Sequence, residues 1–156
     1  MRPFALALLL LLPLAEPPAP DASLRDAAAA IAGLHRRADA LAPTDPKAAA
    51  ADLAEGLKLA LPPGEAARTL RGDLFARIGE LKLKAGDATG ALQAARAGLG
   101  EEAGKPTNAL TALLRLREGE ALEALGRDDE ALDSYSQVIA VAKKVLEQRR
   151  APGRKP

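Results

Sequence analysis

The chain contains no cysteine, and this absence excludes several kinds of chemistry at once. Without cysteine there is no disulfide framework, no thiolate metal site and no catalytic thiol. Only one histidine is present, His35. With Asp39 it has the i,i+4 spacing that can place two ligands on one helix face, but two ligands without a second histidine make a poor metal site. We therefore expect no metal and no cofactor.

Aromatic residues and excess charge are also scarce. Aromatics make up 2% of the sequence, and 22 basic residues nearly balance 21 acidic ones, for a formal net charge of +1. Nucleic-acid binders need a basic surface that displaces counterions. Proteins that bind single strands also stack bases on aromatic side chains. We therefore expect no nucleic-acid partner.

The residues needed for catalysis are missing as a set. A hydrolytic triad needs a nucleophile, a base and an orienting group that converge, and the serines have no histidine near them in the sequence. No glycine-rich loop precedes a Lys-Ser or Lys-Thr pair, so no phosphate-binding motif is present. The sequence predicts that this protein is not an enzyme.

The only long uncharged run lies at the N-terminus. Residues 3–15 are uncharged and follow Arg2, and small residues come next. A basic start, an apolar core and small residues are typical of a secretory signal peptide. We predict a signal peptide over residues 1–19, cleaved after Ala15 or Ala19. The run is too short for a membrane helix and a proline interrupts it, so an uncleaved anchor is the less favoured alternative. The expected location is the periplasm or the exterior, with no membrane span after signal removal.

The residues that are abundant predict helices. Most of the apolar content is alanine and leucine, which favour helices over strands, and no segment alternates apolar and polar residues for the length of a strand. Helix signals divide a single domain over residues 20–150 into six helices. Short connections pair them as hairpins over about 23–62, 65–101 and 107–148. Residues 151–156 are predicted to form a disordered basic tail.

Polar residues and prolines predict where these helices begin and end. The second helix is predicted to end at the Pro62-Pro63 pair, because proline cannot continue a helix. Gly86 is predicted to end the third helix in a left-handed conformation. Side-chain oxygens that can accept the unpaired N–H groups of a helix start are predicted to cap four helices; they belong to Ser23, Asp45, Asp87 and Thr107.

Small residues recur at fixed offsets in the second and third hairpins. Gly79, Gly86 and Ala91 are matched 40 residues later by Gly119, Gly126 and Ala131. Within each hairpin the first glycine is predicted to face the alanine, because small side chains let two helices approach closely. The middle glycine supplies the backbone freedom that the turn needs.

These residues resemble the motif of the tetratricopeptide repeat (TPR) family. One unit matches it with Phe75, Ile78-Gly79, Gly86 and Ala91. The next matches with Gly119, Gly126, Ala131 and Tyr135, and a weaker first unit has its turn at Asp45. The units depart from the family in their length of about 40 residues rather than 34 and in Arg115 and Glu118, where the family prefers apolar residues. The resemblance implies an all-α fold of about six helices, in which antiparallel hairpins stack as a short right-handed superhelix.

The resemblance also implies a binding groove lined by the first helix of each hairpin. Such a groove, rich in acids, would favour a basic or neutral peptide with an apolar anchor near Leu116. The alternative is that these acids form the solvated face of amphipathic helices. The candidate groove residues are His35, Asp39, Glu80, Leu83, Leu116, Glu120 and Glu123.

Two functions fit this sequence. The first is an exported TPR-like interaction module or adaptor of the bacterial cell envelope, which binds a partner protein or peptide through its helical groove. The second is a structural or assembly subunit that self-associates or caps a larger envelope complex. A monomer in solution favours the first function. A dimer that is lost on mutation of the terminal helix favours the second.

Overall fold

A computed structural model describes residues 22–105 and 107–150. The predicted signal peptide over residues 1–19 and the predicted tail over 151–156 lie outside the described residues. All regular structure in the described ranges is helical, as the sequence predicts. The α-helices are α1 (Ala22–Leu41), α2 (Pro46–Ala54), α3 (Glu65–Lys84), α4 (Ala88–Glu102), α5 (Ala109–Ala124) and α6 (Asp128–Arg150), with one 3₁₀ turn at Glu55–Lys58.

Two of the predicted N-caps are confirmed. A side-chain oxygen of Asp45 accepts a hydrogen bond of 2.8 Å from the backbone N–H of Ala48 at the start of α2. The carboxylate of Asp87 accepts one of the same length from the N–H of Gly90 at the start of α4. Each bond pairs an N–H group that the first helical turn leaves without a partner.

The other two predicted caps are wrong in position. Thr107 precedes α5, but the cap is Asn108, whose side-chain oxygen accepts from the N–H of Thr111 at 3.0 Å. Asparagine and threonine both accept such bonds, so composition alone does not distinguish two adjacent candidates. Ser23 lies inside α1, which already includes Ala22.

The predicted turn glycines adopt the left-handed conformation. Gly86 and Gly126 have φ angles of 77° and 70°. After each glycine, a backbone N–H reaches back to the helix that has just ended: Asp87 donates to the carbonyl of Lys82 at 2.8 Å, and Arg127 to that of Leu122 at 2.9 Å. Both turns therefore close their helices in the way that glycine favours.

The second helix ends earlier than the sequence predicts. α2 stops at Ala54, the 3₁₀ turn follows, and the backbone is extended at Leu59, with φ −65° and ψ 135°. Gly56 in that turn is buried, and a Cβ there would lie 3.1 Å from methyl groups of both Leu34 and Leu74. α2 therefore ends eight residues before the proline pair, where the chain begins to pack against the core. Tertiary packing rather than proline ends this helix.

Consecutive helices pack against one another along the whole described chain, from α1 on α2 to α5 on α6, and α3 also contacts α5. Helices that are joined by short turns and packed together form antiparallel hairpins. The structure is therefore a stack of helical hairpins. The right-handed superhelical twist that the resemblance implies stays a prediction. In the described ranges, no helix is both long and apolar enough to cross a membrane.

Within the described ranges, the core contains two clusters of buried residues. The first draws on α1, α2 and α3 and includes the buried Leu53, Leu74 and Leu81. The second lies between α4, α5 and α6 and includes Leu122. α4 takes part in both, since Ala94 belongs to the first cluster while its Ala91 and Leu92 belong to the second.

The predicted close contacts of the repeated glycines hold in one hairpin and differ in the other. A Cβ at Gly79 would lie 3.5 Å from the backbone oxygen of Ala91, so these two residues face each other as predicted. At Gly119, the three atoms nearest to a Cβ all belong to the ring of Tyr135, the first at 2.4 Å, rather than to Ala131. Gly119 therefore makes room for an aromatic ring.

An equally close helix contact involves a glycine that the repeat pattern does not select. Gly98 of α4 is buried between α3 and α5. A Cβ there would lie 2.4 Å from a methyl carbon of Leu114 and 3.0 Å from the Cβ of Phe75. Three helices meet at this point, so the absence of a side chain is a packing requirement.

Candidate functional site

The predicted groove residues lie on the first helix of each hairpin. α1 carries two of them, α3 carries two and α5 carries three, and α3 packs directly on α5. In chain order they are His35 and Asp39, then Glu80 and Leu83, then Leu116, Glu120 and Glu123.

The acids of this face are paired with arginines that were not among the predicted site residues. The guanidinium of Arg77 on α3 donates to Glu80 at 2.7 Å and also to Asp39 on α1. Lys84 donates to the other oxygen of Glu80 at 2.7 Å. Arg77 therefore links the first hairpin to the second.

Arg117 repeats this arrangement one unit later. On α5 it donates to Glu120 at 2.7 Å, and its second terminal nitrogen lies 3.2 Å from Glu80 on α3. The alternating charges form a continuous series across three helices, which we term the ion ladder; in order, its members are Asp39, Arg77, Glu80, Arg117 and Glu120.

The centre of the ion ladder is partly withdrawn from water. The side chains of Arg117 and Glu80 are 18% and 20% exposed, whereas that of Asp39 at the edge is 59% exposed. Burial opposes ionisation of Glu80, but hydrogen bonds from Lys84 and Arg77 outweigh it, and the pKa of Glu80 is lowered. Glu80 therefore stays charged and fixed in place at neutral pH.

Little charge is left over on this face. The ladder has three carboxylates and two arginines, and adding Asp73 and Lys84 gives four negative and three positive groups, a net charge of −1 with neutral His35. The sequence suggested either an acidic binding surface or a solvated face. In the structure the charges of Asp39, Glu80 and Glu120 are largely neutralised by neighbouring cations, and both alternatives stay predictions.

A small cavity opens beside the ladder. Its volume is about 260 Å³. Two nitrogen atoms on its lining residues, Nε2 of His35 and Nε of Arg117, are buried and have no hydrogen-bond partner in the described part of the chain. Nε2 of His35 is 3.4 Å from a carboxylate oxygen of Asp73, without the alignment of a hydrogen bond. The lining residues are His35, Asp73, Ala76, Arg77, Glu80, Leu113 and Arg117.

The remaining predicted residues lie elsewhere on the face. Leu83 packs against the second core cluster. Leu116 is half-buried and does not line the cavity; the exposed Leu113, one turn earlier on α5, does. Glu123 accepts a hydrogen bond of 2.7 Å from the hydroxyl of Tyr135. Leu113 is therefore a better candidate for the apolar anchor than Leu116.

The contact between Glu123 and Tyr135 can be tested by titration. Burial, together with the hydrogen bond and the charge of Glu123, raises the pKa of Tyr135 to about 12. Since the neutral phenol is favoured in the folded state, this contribution to stability is complete below about pH 10 and is lost as the pH rises through about 12. Tyr135 is the only tyrosine and there is no tryptophan, so ultraviolet absorbance follows this one ionisation.

We expect a midpoint near 12 for the folded protein and near 10 in strong denaturant, where the contact is absent. Substitution Glu123→Gln removes the charge and should lower the folded midpoint. Equal midpoints for the folded and denatured chains would show that the two side chains do not meet in solution.

A second cluster of charged residues has a structural role. Glu118, at a position where the TPR family prefers apolar residues, is 5% exposed. It accepts hydrogen bonds from Arg96 at 2.9 Å, Arg115 at 2.7 Å and Ser134 at 3.3 Å. Burial opposes its ionisation, yet the arginine hydrogen bonds prevail and the pKa of Glu118 is lowered. Its partners come from α4, α5 and α6, so Glu118 joins three helices.

No group of three or more histidine, cysteine, aspartate or glutamate residues within 22–105 and 107–150 is arranged to hold a metal ion. Comparison with known protein families, curated proteins and solved structures finds no match to this chain. Function must therefore be inferred from the chain itself.

Proposed function

We propose that this protein is an exported, TPR-like interaction module of the bacterial cell envelope, which holds a partner protein by a segment that lies along α1, α3 and α5. The observation that carries the proposal is the cavity beside the ion ladder, since two of its lining residues, His35 and Arg117, each have a buried nitrogen without a hydrogen-bond partner in the described chain. Buried polar atoms are normally hydrogen-bonded, so an unpaired pair at an open cavity indicates a place for a ligand.

The chemistry of the cavity narrows the class of ligand. Nε of Arg117 carries a hydrogen and can only donate, so it fits an acceptor such as a peptide carbonyl. Leu113 offers an apolar contact at the same cavity. Because the neighbouring acids are paired, net charge contributes little to attraction. We propose a neutral or weakly basic segment, with a carbonyl at Arg117 and an apolar side chain against Leu113.

The test is site-specific photocrosslinking in a host that exports the protein. A photoreactive residue at Leu113 should capture one partner protein in the envelope fraction, and one at Leu116 should capture it less efficiently. The matched control is Gln93, an exposed residue of α4, at which we expect no adduct. Substitution Arg117→Gln should reduce the yield at Leu113 by about tenfold or more, because a charge-assisted hydrogen bond is lost.

Thermal melting of each variant separates loss of binding from loss of fold. Adducts that form equally at Gln93 and Leu113, or at neither, would remove the cavity from consideration as a binding site.

The alternative function is that of a structural subunit that self-associates, and a different surface supports it. That surface is the exposed apolar side of α6, none of whose residues lines the cavity.

A further inference from the structure

Helix α6 has an apolar side that the rest of the described chain does not cover. Its inner side packs on α5 through Ala131, Ser134 and Val141, which are 3%, 4% and 8% exposed. Another side carries Leu132 and Ile139, which are 62% and 57% exposed, and Leu146 is 51% exposed. A helix at the end of a stack normally has a polar outer side, which keeps the stack soluble.

The three exposed residues follow one another at intervals of seven. Apolar residues at every seventh position stay on one side of a helix, drifting by only about 20° per repeat, and occupy one of the two positions in each seven by which helices pair side by side. Because Leu132 and Leu146 are 14 residues apart in this 23-residue helix, the seam extends over about four turns at 3.6 residues per turn.

The charges of α6 indicate which helix fits against it. The first turn is acidic, with Asp128, Asp129 and Glu130, of which Glu130 is already paired with Arg127 in the same chain. The last third is basic, with Lys143 and Lys144 followed by two arginines at the end of the helix. A second copy placed antiparallel brings the acidic start of each helix beside the basic end of the other, whereas a parallel copy places like charges together. Opposite charges beside an apolar seam set partner and orientation.

We propose that the outer side of α6 is the interface between two copies of this chain, paired antiparallel about a two-fold axis near Ile139. Leu132 then lies against Leu146 of the partner subunit, since each is seven residues from Ile139. Such an interface is self-complementary, as a two-fold dimer requires. It goes beyond the proposed function and does not depend on it, because no residue of this surface lines the cavity beside the ion ladder.

The first test measures the molecular mass in solution by light scattering and sedimentation. It uses the full chain, purified after processing by its host. We expect a dimer at about 50 μM. Substitution Ile139→Glu places two like charges at the axis and should weaken the dimer by at least about 30-fold, the size of effect found at central interface residues. Gln137→Glu adds the same charge on the opposite side of α6, at an exposed position, and should leave dimerisation within about threefold.

A monomeric wild-type chain, or a dimer that Ile139→Glu leaves intact, would overturn the proposal. Because Ile139 is exposed in a single copy, the Ile139→Glu monomer should have unchanged helix content and melting temperature. These two measurements show whether the variant still folds.

The second test determines the orientation and uses the absence of native cysteine. Leu132→Cys protein is mixed with Leu146→Cys protein under mild oxidation. An antiparallel pair gives the mixed disulfide between the two variants, each of which carries a distinct mass tag. A product dominated by the two homodisulfides would show parallel pairing and contradict the proposal.

Discussion

Replacing Gly98 by leucine is expected to destabilise the protein by about 3 kcal/mol, since overpacking a close contact in a well-packed core forces side chains and backbone to shift. A Cβ at this position would lie 2.4 Å from Leu114, a distance that real contacts do not reach. Leu114 is 0% exposed and cannot swing into solvent, and the Cβ of Phe75 lies on the other side at 3.0 Å. The methyl group of Leu114 can move only by a change of rotamer within the filled core, and the Cβ of Phe75 can move only with its helix.

Gly100, two residues further along the same helix, provides the control. It is exposed, and a Cβ there would meet no heavy atom within 4 Å. Gly100→Leu should therefore be neutral or stabilising by up to about 1 kcal/mol, because leucine has the higher helix propensity. Denaturant unfolding of the two variants compares them directly. Equal effects at both positions would mean that α4 does not pack against α5 as described.

Removing the charge of Lys105 is expected to cost about 3 kcal/mol at neutral pH, because it leaves a buried carboxylate without its cation. The ammonium group donates to Glu102 at 2.6 Å, and the two side chains are 4% and 2% exposed. The other oxygen of Glu102 accepts from Asn108 at 2.9 Å. In the variant Lys105→Met, Glu102 keeps the hydrogen bond from Asn108 and loses the one from Lys105.

The cost should depend on pH in a defined direction. Burial opposes ionisation of Glu102, but the hydrogen bonds from Lys105 and Asn108 outweigh it, so its pKa in the folded protein is lowered. This contribution to stability is present above the unfolded pKa, about 4.3, and is lost as the pH falls through the lower folded value. Without Lys105 the carboxyl can accept a proton on folding, so the difference between variant and wild type should shrink towards pH 4.

Lys58 and Glu55 form a pair with the same i,i+3 spacing, but their side chains are 72% and 57% exposed. Lys58→Met should change the free energy of unfolding by under about 1 kcal/mol at any pH, as exposed ion pairs do. If the two lysine variants unfold alike between pH 4 and 7, Lys105 does not act through a buried pair.

The sequence predicts those helix boundaries that have local causes. Asp45 and Asp87 accept hydrogen bonds from backbone N–H groups three residues ahead, and Gly86 has a positive φ that the lack of a side chain makes easy. These interactions lie within a few residues of one another along the chain. The end of α2 at Ala54 depends instead on Gly56 meeting side chains of α1 and α3, which no local pattern reveals.

The candidate site was predicted less completely than the fold. The distance from each turn residue identified the acids as candidate groove residues but did not identify the arginines. Yet Arg77 and Arg117 precede Glu80 and Glu120 by three residues in both units. That 40-residue recurrence of Arg-x-Gly-Glu is a signal that could have revealed the ion ladder. Whether Leu113 or Leu116 lines the cavity depends on how α5 is rotated about its axis relative to α3. The alignment of the repeats along the sequence does not determine that rotation.

The division of the core between two clusters has a consequence for how the molecule opens. Among the described residues, the first cluster has ten buried members and the second five, and α4 is the only helix that supplies buried residues to both. Unfolding of the α5–α6 hairpin therefore leaves all buried residues of the larger cluster in place. Partial melting should begin at this C-terminal hairpin. Such melting also removes the α5 wall of the cavity. A ligand held between α3 and α5 would thus slow amide exchange throughout α6, a helix that it never touches.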